Sequence, residues 1–162
     1  MNDISLHILD LVENGIRAGA RNIRLTIDED TARETMSICI EDDGKGMSPE
    51  ELRNALNPFY TTKKERNVGL GLPMMKQTAE QCGGSFRVES EPGRGTRLTA
   101  VLNTGHIDCP PLGDLDETIG VLITANSNIV FEIKIISDGE VEVLSTRDNG
   151  AVAAPAAPGT FD

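Results

Sequence analysis

The sequence predicts an α+β fold, a two-layer sandwich in which helices cover one face of a mixed, mostly antiparallel sheet. Four segments alternate apolar and polar residues, as half-buried strands do. Three others carry apolar residues at helical spacing between recognisable start and stop residues. The length of 162 residues suits one domain with a small appendage.

The first helix is predicted over about the first twenty residues, with Asn2 or Asp3 as its N-cap. Its apolar side chains fall on one side: Ile4, Ile8, Leu9, Leu11, Val12 and Ile16. Polar residues spaced by three or four positions form a stripe, namely Asp3, His7, Asp10, Asn14 and Arg17. A solvated face explains most such stripes, but this mixture of acids, an amide and bases also suits a ligand-facing surface.

Two strands are predicted next, over residues 22–28 and 35–42, joined by a charged hairpin connection. A loop with glycines follows at 43–47. Ser48 then has the features of an N-cap, with Pro49 at the first helical position and Glu51 completing a capping box. This second helix is expected to run to about residue 56.

Residues 57–68 are polar and are expected to be mobile, and residues 69–72 lead into a third helix that ends near Cys82 at a pair of glycines. Strands over 85–90 and 96–103 flank a turn at 91–95. These elements define the first predicted domain, residues 1–105.

The composition shifts after residue 105. Residues 106–148 are predicted to form a small αββ appendage packed on the first domain or extending its sheet, with a helix over 115–125 and strands over 130–136 and 140–145. Residues 149–162 are rich in Ala and Pro and are expected to be disordered.

Charge and cysteine content restrict the possible functions. The formal net charge of −11 disfavours binding to nucleic acid or anionic lipid. The three cysteines, Cys39, Cys82 and Cys109, form no CxxC pair, so neither a disulfide framework nor a zinc site is expected. The start of the sequence lacks the positive charge of a signal peptide, and no apolar run approaches the roughly 20 residues that span a bilayer. A cytoplasmic location fits best.

Four short motifs stand in a fixed order along the chain. They are Asp10-Leu11-Val12-Glu13-Asn14, then Asp42-Asp43-Gly44-Lys45-Gly46, then Gly69-Leu70-Gly71-Leu72 preceded by Phe59-Tyr60-Thr61-Thr62-Lys63, and finally Gly83-Gly84 followed by residues 90–96. In this order, over roughly residues 3–102, the chain resembles the GHKL superfamily, the ATPases and kinases named for gyrase, Hsp90, histidine kinases and MutL. The resemblance implies the Bergerat ATP-binding fold and the cofactors ATP and Mg²⁺.

The resemblance also implies roles for individual residues. Asn14 matches the asparagine whose amide oxygen holds magnesium, and Asp42 the aspartate that accepts a hydrogen bond from the adenine amino group. Thr96 matches a threonine of the adenine network. Glycines at the start of the third helix suit phosphate binding, because free N–H groups and the positive end of the helix dipole lie there. The full set of implied ATP contacts is Asn14, Arg17, Asp42, Gly44, Gly46, Met47, Thr61, Thr62, Lys63, Gly69, Leu70, Gly71, Leu72 and Thr96.

Two positions bear on the reaction. Asp10 stands where gyrase and MutL carry a water-activating glutamate, so it is a candidate base, or a group that only orients a magnesium-bound water. Arg17 resembles the basic residue that histidine kinases place near the phosphates, although a surface pair with Glu13 is an alternative. Neither His7 nor His106 has the local pattern of a phosphoacceptor, so the acceptor is expected on another protein.

The sequence therefore predicts an Mg-ATP-binding histidine kinase-like domain that transfers phosphate to an unknown partner protein in trans. Two alternatives stay open. One is a conformational switch that hydrolyses ATP slowly, and the other is a non-catalytic ATP-binding regulatory module. The last two predicted strands either extend the sheet or offer an edge to a protein partner.

Overall fold

The computed structural model describes residues 3–59 and 71–147, which form four helices and six strands. The helices are α1 (Ile4–Arg17), α2 (Pro49–Leu56), α3 (Gly71–Gln81) and α4 (Leu115–Ala125). The strands are β1 (Asn22–Asp30), β2 (Thr35–Asp42), β3 (Ser85–Glu91), β4 (Gly95–Asn103), β5 (Val130–Ser137) and β6 (Glu140–Ser145). The predicted α+β class is confirmed, and most boundaries agree within two residues.

Helix α1 ends earlier than the sequence analysis expected, at Arg17. Gly19 has a positive φ of 85° and so turns the chain out of the helix. Its N–H donates to Ile16 O at 3.0 Å, and the N–H of Ala20 donates to Gly15 O at 3.0 Å, which is the hydrogen-bond pattern of a Schellman motif. The Schellman motif thus ends α1 three residues earlier than expected.

The helix starts follow the predicted capping residues. Asp3 is the N-cap of α1, and its carboxylate accepts from Leu6 N at 3.0 Å. At α2 the capping box is complete, because Ser48 Oγ accepts from Glu51 N at 3.1 Å and Glu51 Oε1 accepts from Ser48 N at 2.8 Å.

The six strands form one sheet in the order β3-β4-β2-β1-β5-β6. All neighbouring pairs are antiparallel except β1 and β5, which run parallel. Strands β5 and β6 therefore lie in the same sheet as the first four. The division of the chain into domains at residue 105 stays a prediction, and residues 149–162 lie outside the described part.

The core lies between one face of the sheet and the helices. Alternate residues of the strands point into it, where they meet α1, α3 and α4. Its largest fully buried side chains include Phe131, Ile4, Ile8, Ile23, Ile27, Ile38, Met75 and Leu102. The opposite face is polar, with Arg24 forming ion pairs of 3.7 Å to Glu41 and 3.6 Å to Glu132. Across residues 3–59 and 71–147, no helix has the length and apolar character needed to cross a membrane.

Candidate functional site

A cavity of about 430 Å³ opens between α1, the ends of β2 and β4, and the start of α3. Seven of the residues that the sequence analysis selected line it: Asn14, Arg17, Asp42, Gly46, Met47, Leu72 and Thr96. Six more complete the lining: Leu11, Gly15, Ala18, Ile40, Lys45 and Leu98. The first and second motifs thus meet in one space, although 28 positions separate Asn14 from Asp42 in the chain.

The carboxyl group of Asp42 is the acidic group in this lining. Its Oδ1 accepts from Gly44 N at 2.8 Å. Its Oδ2 lies beside Gly15, where a Cβ atom would stand only 2.9 Å from that oxygen. Burial raises the pKa of Asp42, the neighbouring Asp43 raises it further, and backbone N–H groups of Gly44 and Thr96 oppose the rise. Asp42 is therefore a half-buried carboxylate, and an additional hydrogen-bond donor would stabilise its charged form.

The last turn of α1 supplies the polar end of the cavity. Arg17 Nη2 donates to Asn14 Oδ1 at 2.7 Å, so these two side chains form one unit. This contact differs from the surface pair with Glu13 that the sequence analysis weighed as an alternative for Arg17. The amide oxygen of Asn14, the expected magnesium ligand, here accepts a charged hydrogen bond.

A hydroxyl network joins the loop after β2 to β4. Ser90 Oγ accepts from Met47 N at 2.8 Å. It is also placed to donate to Gly95 O at 3.1 Å, and it lies 2.8 Å from Thr96 Oγ1. Ser90 has one hydroxyl proton; if that proton goes to Gly95 O, Thr96 must donate to Ser90 and keeps its lone pairs for a further donor. The sequence analysis placed Ser90 in the fourth motif but did not predict that its hydroxyl joins Met47 to Thr96.

The two glycines of the second motif, Gly44 and Gly46, pack closely against other atoms of the protein. Gly46 has φ of 70°, and a Cβ atom there would lie 1.9 Å from Glu91 O. A Cβ atom at Gly44 would lie 2.9 Å from the Ala18 Cβ. The loop is therefore pressed between the end of α1 and the β3–β4 turn, and this close packing shapes one wall of the cavity.

Asp10 is exposed and does not belong to the lining of the cavity. It lies beside the first residue of α3, since a Cβ atom at Gly71 would stand 3.3 Å from Asp10 Cβ. His7, from the same predicted stripe, is buried at 6% exposure and lies 3.4 Å from Thr78 Oγ1. Burial lowers the pKa of His7, although Asp10 and Asp3 oppose the shift. The predicted polar stripe therefore has no single role. Asp3 caps α1, His7 contacts α3, and Asn14 and Arg17 line the cavity.

The remaining predicted site residues, Thr61, Thr62, Lys63, Gly69 and Leu70, lie outside the described residues. Of the lining residues that sequence reasoning missed, Ile40 and Leu98 carried a signal, because they sit on the inward face of alternating strands next to Asp42 and Thr96. Ala18, the C-cap of α1, follows Asn14 by four positions, which places it on the same side of the helix end as Asn14.

No cluster of three or more His, Cys, Asp or Glu side chains suited to a metal occurs within residues 3–59 and 71–147. Asn14 lines the cavity and carries a neutral amide oxygen, a donor that fits magnesium, a hard cation that keeps several non-protein ligands.

Comparison with known proteins gives a family match over residues 2–106, to the model described as histidine kinase-, DNA gyrase B-, and HSP90-like ATPase. Among curated proteins, sporulation kinase C of Bacillus subtilis (strain 168) is 33% identical over 101 residues, which cover 62% of this chain and 23% of that protein. Sporulation kinase D of the same strain is 37% identical over 95 residues, 59% of this chain and 19% of that protein.

The sensor histidine kinase ZraS of Salmonella typhi is 33% identical over 93 residues, which cover 57% of this chain and 20% of that protein. The matched part of the chain thus spans only about a fifth to a quarter of the length of these relatives.

Proposed function

Because the chain belongs to the family of histidine kinase-, DNA gyrase B- and HSP90-like ATPases, and is thus an ATP-binding, kinase-like domain, we propose that it transfers the γ-phosphoryl group of Mg-ATP to a partner protein. One observation carries this proposal: the carboxyl group of Asp42 and the amide of Asn14 line the same cavity. Its volume of about 430 Å³ falls within the size range of small-molecule sites.

At the base end, Asp42 accepts a hydrogen bond from the adenine amino group through Oδ2, since Oδ1 already accepts from Gly44 N. Guanine carries a carbonyl oxygen at the corresponding ring position, and this oxygen repels a carboxylate. Apolar side chains of Ile40, Leu98 and Met47 line the cavity around Asp42 and suit the faces of a planar base. Selection of adenine thus follows from one oxygen in a largely apolar site.

At the phosphate end, Arg17 supplies positive charge and the first turn of α3 supplies backbone N–H groups. Asn14 Oδ1 would hold the magnesium ion that accompanies ATP, and the metal would neutralise phosphate charge. Arg17 now donates to that oxygen, so we infer that it turns from Asn14 to the phosphates when nucleotide binds. We also assign Thr61, Thr62, Lys63, Gly69 and Leu70 to this end, from the resemblance alone.

We propose that the phosphoryl acceptor belongs to a partner protein. The chain has two histidines, and neither lines the cavity. His7 is buried against Thr78, and His106 Nδ1 accepts from Asp108 N at 3.0 Å within its own turn. We further propose a cytoplasmic location, which the three free thiols and the acidic composition favour.

Slow ATP hydrolysis is the second candidate function. The observation that favours it is the position of Asp10 beside Gly71, at the start of α3 where phosphate is expected. A carboxylate there is able to accept a proton from an attacking water. In this candidate the nucleotide state is reported to a partner by a conformational change, and no phosphoprotein forms.

The first experiment measures ATP binding by isothermal titration calorimetry, with and without magnesium. We expect binding to require the metal and to be lost in Asn14→Ala and in Asp42→Ala. GTP is the matched ligand control, because it keeps the phosphates and changes only the base. Equal affinity for ATP and GTP contradicts the role given to Asp42.

The second experiment follows γ-labelled ATP with purified protein alone and with host lysate. Label on a second polypeptide, lost in Asn14→Ala, supports phosphotransfer, and free phosphate lost in Asp10→Asn supports the hydrolytic switch. Tight ATP binding with neither product contradicts both, and leaves the binding module as the function.

A further inference from the structure

Two of the three cysteines lie together at the C-terminal end of α3, away from the cavity. Cys82 directly follows α3, and Cys109 lies in the segment between β4 and α4. Cys82 Sγ is 3.9 Å from the carbonyl oxygen of Asp108, the residue before Cys109. Cys109 also packs against the core cluster that contains Cys82. Long-range folding, and not a CxxC spacing, thus brings this pair together.

The two thiols differ in their access to solvent. Cys82 is fully buried at 0% exposure, whereas Cys109 is half-buried at the edge of the core. Burial, followed by the neighbouring Cys109 thiol, raises the pKa of Cys82 to about 12. Cys82 therefore stays protonated while Cys109 is free, and Cys109 is the thiol that an oxidant meets first.

We propose that Cys82 and Cys109 form a reversible disulfide, so that this corner of the fold is a modification site for low-molecular-weight disulfides. The Cys109 thiolate attacks a sulfur of the oxidant RSSR, and one RS⁻ leaves with a proton taken from solvent. Cys82 then loses its proton and attacks Cys109 Sγ, which expels the second RS⁻. Two protein thiols are oxidised by two electrons, and one RSSR is reduced to two RSH.

The intermediate favours the second step. Cys82 Sγ already lies 3.9 Å from the carbonyl oxygen of the residue before Cys109, so a mixed disulfide on Cys109 forms close to the Cys82 thiol. The high local concentration of Cys82 around the mixed disulfide then competes well with free thiol in solution.

The disulfide would link the end of α3 to the segment between β4 and α4, and both of these regions contact α1. Pro111 O and Leu112 O, shortly after Cys109, accept from Ile4 N at 2.9 Å and Ser5 N at 2.8 Å in the first turn of α1. Helix α3 packs on α1 directly. A disulfide would close the loop of residues 82–109, which contains β3 and β4, and would lower the entropy of the unfolded chain, so it is expected to stabilise the fold. This inference is independent of the proposed phosphotransfer.

The experiment uses the full chain with Cys39→Ser, which leaves only this pair of thiols. Reduced protein is incubated with oxidised glutathione and its intact mass is measured. We expect a monomer lighter by about 2 Da without a glutathione adduct. Peptide mapping should link Cys82 to Cys109, and the melting temperature should rise by roughly 5–10 °C until dithiothreitol is added.

The matched controls are Cys39→Ser/Cys82→Ala, which should retain a glutathione adduct on Cys109, and Cys39→Ser/Cys109→Ala, which should react far more slowly. An adduct that persists on Cys109 in the two-thiol protein overturns the proposal, and so does a disulfide formed only between molecules. Because the two-thiol protein gives these results by itself, poor folding of either control leaves the test intact.

Discussion

Replacing Gly46 by alanine tests whether the loop after β2 is pressed against the β3–β4 turn. A Cβ atom at this position would lie 1.9 Å from Glu91 O and 3.1 Å from Gly95 N. Both atoms belong to backbone, so no side-chain rotation relieves the contact. The backbone of one loop must move, and the wall of the cavity moves with it.

Two contributions set the expected loss of stability. A positive φ of 70° costs a non-glycine residue about 1–2 kcal/mol. Forcing a methyl group into a packed contact costs typically another 1–3 kcal/mol. The free energy of unfolding should therefore fall by roughly 2–5 kcal/mol in Gly46→Ala.

Gly93→Ala is the matched control. Gly93 has φ of 81°, but no atom lies within 4 Å of the Cβ position. Its N–H donates to Lys45 O at 2.6 Å, so it belongs to the same pair of loops. This variant should lose only the conformational part, about 1–2 kcal/mol.

Urea denaturation, followed by circular dichroism, measures both variants, and calorimetry gives their ATP affinity. We expect Gly46→Ala to lose both stability and affinity, and Gly93→Ala to keep most of its affinity. Equal losses of stability in the two variants would refute the reasoning, because the contact with Glu91 would then contribute nothing.

Three further predictions concern polar groups. Asp42→Asn should raise the free energy of unfolding near neutral pH, because burial raises the pKa of Asp42 and so disfavours its charged form. Calorimetry should show that the ATP affinity of this variant falls at least about tenfold. The amide has one acceptor oxygen for the N–H of Gly44 and the adenine amino group, whereas the carboxylate has two. Burial lowers the pKa of His7 in the folded state, so below its ordinary pKa of 6.5 the unfolded state binds more protons. Urea denaturation should show that the free energy of unfolding decreases as the pH is lowered from 7.5 to 5.5. The decrease should be smaller in His7→Gln. Ser90→Ala removes the acceptor of Met47 N–H and should cost about 1–2 kcal/mol in the same assay, whereas no loss would contradict the network.

Much of the fold was predictable because its signals are local. Alternation marked β2 over its full range, and Ser48, Pro49 and Glu51 marked the start of α2, since a capping box is completed within four residues. The end of α1 was missed because the relevant signal, Gly19, needs a positive φ that the sequence does not show. The parallel pairing of β5 with β1 was also undetermined, because strand order depends on contacts far apart in the chain.

For the site, the sequence by itself determined which side chains are available: the amide of Asn14, the carboxylate of Asp42 and the glycines of the motifs. Only the tertiary structure decided that Asn14 and Asp42 share a cavity, that His7 turns to Thr78, and that Cys82 lies next to the segment that carries Cys109. The physical reason is that side-chain type is a property of one residue. Burial, pKa and contact depend on how α1, α3 and the sheet pack together.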